Sequence, residues 1–345
     1  MKSRLLVLEL WGLGDLVIAT PFLQAASRKF QTTLIAKPYA QELGRRLWPE
    51  VEIIPLTAPW TAFRQKYQIW RWPWKTLFRI RNRVLAQQFD YGVSARWDPR
   101  DHLALKLCGV RERFGFPRIG SQRYLTRRLL RPAPTAHRYE AWRTIGQALS
   151  LKLPALEHFF AAANKPEKTG SAGEDVGAAF NSAFRVQRPP VTMVHSGARL
   201  PLRVWPLERF REMVLRLRQE NIPVQLVCDP DQVDWWQSHG EMAACPHSVT
   251  ELLALIDGAG VLIGNDSGPG HLAAALGCPT FTLFGPQLPE WFVPLHPAAE
   301  FVAGKACPYK PCSDYCRFSE PFCLRNIPLE EVWPRVANFV TKNLK

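Results

Sequence analysis

The sequence predicts an α/β protein built from doubly wound, Rossmann-like units, and three observations carry that prediction. The first is the stretch 261–284. Val261-Leu262-Ile263 is a short apolar run, Gly264-Asn265-Asp266-Ser267-Gly268-Pro269-Gly270 consists of turn residues, and 271–276 is rich in Ala and Leu. Gly277 and Pro279 then stop a helix ahead of a second apolar run, 280–284, so the stretch reads as strand, glycine loop, helix, strand. The second observation is that residues 5–30 repeat this order: apolar run, glycine loop, helical pattern. The third is length, because 345 residues suffice for two separate cores.

In open α/β sheets ligands bind outside the carboxyl ends of the strands, so the loop 264–270 is the first candidate site. Gly268 and Gly270 let the backbone come close to a ligand, the free N–H groups of the following helix carry its positive end, and Ser267 adds a hydroxyl. Such chemistry suits a diphosphate. A plain turn with Asp266 or Ser267 as helix cap accounts for the same residues.

In the first half, 5–10 reads as a strand, 11–15 as a tight loop, and 16–30 as a helix with Pro21 in its opening turns. Gly12 and Gly14 bracket Leu13 just before Asp15, which puts a carboxylate at the mouth of the first sheet; capping of its own helix is the alternative role. From 53 to 89 there is no acidic residue, while Trp60, Phe63, Tyr67, Trp70, Trp72, Trp74 and Phe78 interleave with Arg64, Lys66, Arg71, Lys75, Arg79, Arg81 and Arg83. This composition fits an anionic membrane interface, a nucleic-acid strand, or a half-buried helical hairpin with a solvated basic face. Residues 89–95 resume a strand, and 96–102 form a polar loop. There Arg96 and Arg100 suit an anion and Asp98 and Asp101 a hydroxyl, with helix capping the competing role for the two acids. Five further arginines, Arg118, Arg123, Arg127, Arg128 and Arg131, extend that patch or solubilise a loop.

A polar stretch beginning at Asn164 reads as the linker, 164–189, between a first domain, 1–163, and a second, 190–327, followed by a closing helix, 328–345. The second domain opens with a strand at 191–194 and the loop Ser196-Gly197-Ala198-Arg199, with Arg203 three residues before Pro206. An amphipathic helix at 207–219, a strand at 224–227 and a helix at 250–259 follow.

Hydrophobic residues at 47% and charged residues at 21% describe an ordinary globular chain, while 44 Lys and Arg against 30 Asp and Glu give +14, which calls for an acidic partner. Thirteen Trp favour a surface that meets lipid or sugar. Lys2 and Arg4 ahead of apolar residues imitate a secretory signal, but Glu9 and Asp15 interrupt the run, so a cytoplasmic protein touching the inner face of a membrane is expected.

The stretch GNDSGPGHLAAALGCPTFTLFGP resembles the signature of the ADP-heptose:lipopolysaccharide heptosyltransferases, glycosyltransferase family 9. VHSGARLPLRVWPLERF, 194–210, resembles that family's second donor loop, and LELWGLGDLVIATPFLQA, 8–25, its catalytic loop, all in family order. The resemblance implies a GT-B fold, two Rossmann-like doubly wound domains facing across a cleft, with the closing helix packed back across the first. It further implies Asp15 as general base, and Ser196, Gly197, Arg203, Asp266, Ser267, Gly268, Pro269, Gly270 and His271 around the donor. Asp229, Asp231, Gln232, His247 and Val249 are candidates near the nucleoside, and Gly12, Gly14, Arg64, Arg96, Asp98 and Arg100 near the acceptor. The expected partners are an ADP-sugar, a lipid-linked or phosphorylated glycan and an anionic membrane surface, with no nucleic acid and no required cofactor. The expected chemistry is an inverting displacement in which basic and N–H groups replace a divalent ion. Another nucleotide sugar on the same scaffold, or a catalytically silent relative, are the rival expectations.

Of eight cysteines, Cys108, Cys228, Cys245 and Cys278 are scattered, and Cys307, Cys312, Cys316 and Cys323 are spaced C-x4-C-x3-C-x6-C. The cluster lacks paired C-x2-C knuckles, so reduced thiols or disulfides are expected ahead of a metal site, and a Cys-rich tail resembling this one recurs in the family.

Overall fold

A computed structural model describes residues 2–62, 67–160, 188–312 and 315–344. The chain divides into two compact units, Met1–Pro154 and Ala155–Lys345. The expected linker lies almost wholly outside the described residues, as do Phe63, Arg64 and Lys66 of the aromatic-basic stretch.

The first unit holds a six-stranded parallel sheet: β1 (Arg4–Glu9), β2 (Gln31–Ala36), β3 (Glu52–Pro55), β4 (Tyr91–Ser94), β5 (Glu112–Gly115) and β6 (Arg127–Arg128). Their spatial order is β3-β2-β1-β4-β5-β6. The chain builds outward from β1 in one direction, then returns to pair β4 on its other side, Leu5 to Leu8 opposite Tyr91 to Ser94. That reversal opens a crevice beyond the carboxyl ends of β1 and β4. Both faces of β1 are covered, which is why five of its six residues are buried and why it reads as a continuous apolar run. One face packs Leu6, Leu8 and Ile35 with Trp60 and Val84; elsewhere in the unit Phe22 meets Trp142 at 4.9 Å.

The second unit holds five parallel strands: β7 (Thr192–His195), β8 (Val224–Val227), β9 (Val261–Asn265), β10 (Thr280–Phe284) and β11 (Glu300–Ala303). The order is β11-β10-β9-β7-β8, with the reversal between β7 and β9. Gly264 is obligatory there, since a Cβ on it would lie 2.8 Å from the carbonyl oxygen of His195 on the neighbouring strand. Gly277 takes φ +76° where the following helix stops, as its position before Cys278-Pro279 predicts.

Two expectations need correction. The helix expected over 16–30 is two helices, Leu13–Ile18 and Thr20–Lys29, because Pro21 has no N–H for a continuous ladder and sits instead in the first turn of the second. Among the described residues of the aromatic-basic stretch, short 3-10 turns at Pro59–Thr61 and Ile69–Arg71 and one helix, Trp74–Gln87, stand in place of a helical hairpin. The closing helix, Leu329–Asn343, places Val332, Val336, Phe339 and Val340 in the second unit's own core, with Phe339 5.6 Å from Phe281. Its apolar face is thus engaged by the sheet of its own unit.

Candidate active site

At the reversal of the first sheet, β1 ends on Glu9, a carboxylic acid only 3% exposed whose Oε1 accepts from the Trp11 N–H at 3.2 Å. The chain turns at Gly12, and Leu13 starts a helix. Asp15, in that first turn, accepts the Gly12 N–H on Oδ2 at 3.3 Å, so the capping role exists. Its other oxygen, Oδ1, receives Arg96 Nη2 at 2.5 Å; the side chains are 20% and 23% exposed. Arg96 comes from the loop after β4, the strand beside β1, and its guanidinium lies 5.0 Å from the Trp11 ring. Arg138 lies 5.1 Å over Trp97 next to it.

Burial pushes the Glu9 carboxyl up to about 8 against the pull of Arg96, with the Asp15 charge adding to the rise. Burial and the nearby Arg96 charge push Arg138 down to about 10.

The neighbouring acids have other roles. Asp98 caps the helix Pro99–Leu107 by accepting the Arg100 N–H at 2.9 Å, and it grips the Arg100 guanidinium at 2.9 and 2.6 Å. Burial opposes ionisation of Asp98, but these bonds hold its carboxyl below the usual range. The charges of Asp98 and Arg100 are therefore turned on each other. Asp101 is fully buried, accepts from Trp60 Nε1 at 2.8 Å and Ser94 Oγ at 3.2 Å, and is pushed up to about 6 by burial and then by Asp98; it ties layers together and is closed to a sugar.

At the reversal of the second sheet the loops after β7 and β9 meet. Asn265 braces them: its Oδ1 accepts the Trp205 N–H at 2.9 Å and its Nδ2 donates to the Ser196 carbonyl at 2.8 Å. That brace brings Arg203 Nη1 to 3.4 Å from Asp266 Oδ2. Ser267 stands at the N-cap of the helix Gly268–Ala275 with no capping bond from its side chain, so its hydroxyl and the N–H groups of Gly268, Gly270 and His271 share one helix end. Pro269 fills the first turn where no N–H is needed, and His271 is buried.

Ser196, expected at the donor, and Gln232, expected near the nucleoside, bond to each other. Ser196 is fully buried, its Oγ donating to Gln232 Oε1 at 2.7 Å and accepting from Trp236 Nε1 at 3.1 Å, while Gln232 Nε2 donates to the Ser196 carbonyl at 3.2 Å. Both side chains knit the loops from within. Gly197 lies against Asp229, whose carboxyl carbon would be 2.3 Å from an added Cβ. Asp229 Oδ1 is 3.8 Å from the buried His195 Nε2; burial drives His195 down and Asp229 up, each resisted by the other's charge. Asp231 is exposed. Near His247 and Val249, Ser248 Oγ caps the helix Val249–Asp257 by accepting the Glu251 N–H at 3.1 Å, and Glu251 Oε2 accepts the His247 N–H at 2.8 Å.

Glu9, Trp11, Arg138 and Asn265 stand in these loops without being among the site residues expected from the sequence. A carboxylate closing the apolar run of β1 was the one available signal. All eight cysteines are free thiols, and burial ahead of the neighbouring thiols raises Cys312 and Cys323.

The sequence model of glycosyltransferase family 9 (heptosyltransferase) matches residues 112–320, more than half of the chain. A segment of 103 residues is 32% identical to lipopolysaccharide heptosyltransferase 3 of Escherichia coli K12, spanning 27% of this chain and 30% of that protein. Among solved structures, E. coli ADP-heptose LPS heptosyltransferase II superposes with a TM-score of 0.68 at 18% identity over 99% of both chains. E. coli heptosyltransferase WaaC with ADP gives 0.70 at 16% identity, over 98% of this chain and 100% of that one. At such identities the likeness establishes the fold.

Proposed function

The chain belongs to glycosyltransferase family 9, the heptosyltransferase family, with the GT-B fold, and on that premise we propose that it moves a heptose or related sugar from an ADP-sugar to a hydroxyl of a lipopolysaccharide-core-type or other cell-envelope glycan. The observation that carries this reading is the position of the two candidate loops: Asp15 stands at the reversal of one sheet, and the Arg203–Asp266 pair and the Ser267 helix end stand at the reversal of the other.

In the proposed step Asp15 takes the proton of the acceptor hydroxyl as its oxygen bonds to the anomeric carbon. The bond from that carbon to the donor phosphate breaks on the opposite face, and ADP departs with the electron pair, inverting the centre. Arg203, the Ser267 hydroxyl and the N–H groups from Gly268 to His271 receive the charge growing on the leaving diphosphate, the part a divalent ion plays elsewhere. Asp266, paired with Arg203, orients that cation.

The acceptor half of the proposal includes an anionic membrane surface on the cytoplasmic side. Tyr67, Ile69, Trp70, Trp74 and Phe78 are 76, 54, 73, 43 and 56% exposed, beside exposed Lys75 and Arg79. Trp60 and Trp72, from the same stretch, pack inward against the first sheet. Among the described residues no helix is long and apolar enough to cross a membrane, so this face supports contact from one side.

A panel of nucleotides and nucleotide sugars tests the donor assignment by thermal shift. ADP and ADP-heptose should stabilise the fold by about 2.7 kcal/mol at 100 times the dissociation constant. Stabilisation by uridine or guanosine nucleotides in preference to ADP would contradict it.

A further inference from the structure

We propose that the first unit carries a second ligand site, a saccharide pocket at the amino ends of its strands that takes a sugar ring bearing a phosphate or carboxylate. The inference goes beyond sugar transfer, because the crevice beside Asp15 lies at the carboxyl ends of the same strands. A cavity of about 710 Å³ opens where β4, β5 and β6 begin and where the helices Thr20–Lys29 and Tyr139–Ala148 end. Small-molecule sites span roughly 300–1,000 Å³, so a sugar and its substituent fit. The floor is aromatic. Phe30, Tyr91 and Phe114 stand in a row, with ring centroids 5.5 Å apart for the first pair and 6.3 Å for the second. Phe30 and Phe114 are almost wholly buried and Tyr91 is half-buried, so Tyr91 is the ring left to meet a ligand. Its apolar face suits the C–H face of a pyranose.

Parallel register fixes what stands beside that ring. Glu112 pairs with Tyr91 and Arg127 with Phe114, so the four side chains rise from one face of the sheet. Arg127 Nε donates to Glu112 Oε2 at 2.9 Å in a solvent-facing pair. Glu112 Oε1 and the terminal nitrogens of Arg127 have no protein partner among the described residues. An accepting oxygen beside a donating edge matches adjacent sugar hydroxyls, each of which both donates and accepts. An acyl chain or a flat ring without hydroxyls gains nothing from that pair. Lys29 assigns the charge of the substituent. Its Nζ donates to the carbonyls of Leu149 and Ser150 at 2.9 and 3.3 Å and stands 5.5 Å from the centre of the Phe30 ring. These partners hold the ammonium in place without a countercharge and leave its third N–H for a ligand. Among the charged residues that line the cavity, Lys29, Arg127 and Arg128 face the single acid Glu112, so an anion is favoured.

The test is calorimetric titration of the full chain, in excess ADP, with glucose 6-phosphate, mannose 6-phosphate and glucuronate as probes. At least one should bind about tenfold or more tightly than glucose or inorganic phosphate alone, since ring and anion are held together. Sugar phosphates ahead of glucuronate assign the substituent as phosphate, and the reverse order assigns a carboxylate. Lys29→Gln should erase the advantage of a charged sugar over glucose. Arg127→Gln should weaken every sugar probe about tenfold. Both side chains are exposed, so both variants should melt as wild type does. No binding by any probe, or wild-type affinity in both variants, overturns the pocket. Benzoate bound as tightly as the best sugar probe overturns its assignment to a saccharide. Asp15→Asn should bind the probes as wild type does, whatever it does to transfer, so this site and the base assignment stand or fall separately.

Discussion

Glu9 sits where a parallel strand hands the chain to its loop, wholly enclosed, with a carboxyl that titrates near 8. In the unfolded chain the same group titrates near its ordinary value of 4.5. Below 4.5 both states hold the proton and nothing is lost. As pH rises, the unfolded chain releases its proton first, so the stability gained from the neutral folded acid falls away until pH passes about 8. The slope is about 1.4 kcal/mol per pH unit within that window. Glu9→Gln keeps the acceptor for the Trp11 N–H and removes the titration. Its melting temperature should exceed wild type at pH 8 and converge with it below pH 4.5; a difference independent of pH would show that Glu9 is ionised in the fold throughout.

At the scale of elements, the close approach of β7 and β9 holds the loop after β9 in place. Gly264 opposes His195 across those strands, and an added Cβ meets backbone rather than a yielding side chain. Gly264→Ala should therefore cost about 1–3 kcal/mol, read from the urea midpoint, and a variant as stable as wild type would show that the strands can separate freely. Elements with a strong local pattern were legible in the sequence: Leu207–Gln219 by its helical period, Val224–Val227 and Thr280–Phe284 by apolar runs between turn residues. The loops were legible only in part. Arg203 and Asp266 do meet, but the hydroxyl of Ser196 turns inward because the Trp236 indole arrives 40 residues later to donate to it. Likewise Asp98 and Arg100 look like two ligand groups in one dimension and form a self-satisfied cap in three. Long-range partners decide such cases, and no local spacing announces them.

For the whole molecule, the net charge is +14, and part of its basic complement falls on one helix. The helix Trp74–Gln87 turns Leu77, Ile80 and Val84 toward the first sheet and leaves rings and cations outward. Each Lys or Arg near an anionic surface contributes about 1 kcal/mol, so Lys75→Gln with Arg79→Gln should weaken binding to phosphatidylglycerol vesicles roughly 30-fold, and more salt should weaken wild type in the same sense. Vesicle binding unchanged in the double variant would detach this face from the membrane reading. The proposed step has Asp15 take the proton of the acceptor hydroxyl. Turnover of ADP-heptose by Asp15→Asn tests it most directly: the account predicts a fall of about 100- to 10,000-fold with ADP affinity and melting temperature retained, and turnover within a few-fold of wild type would contradict it.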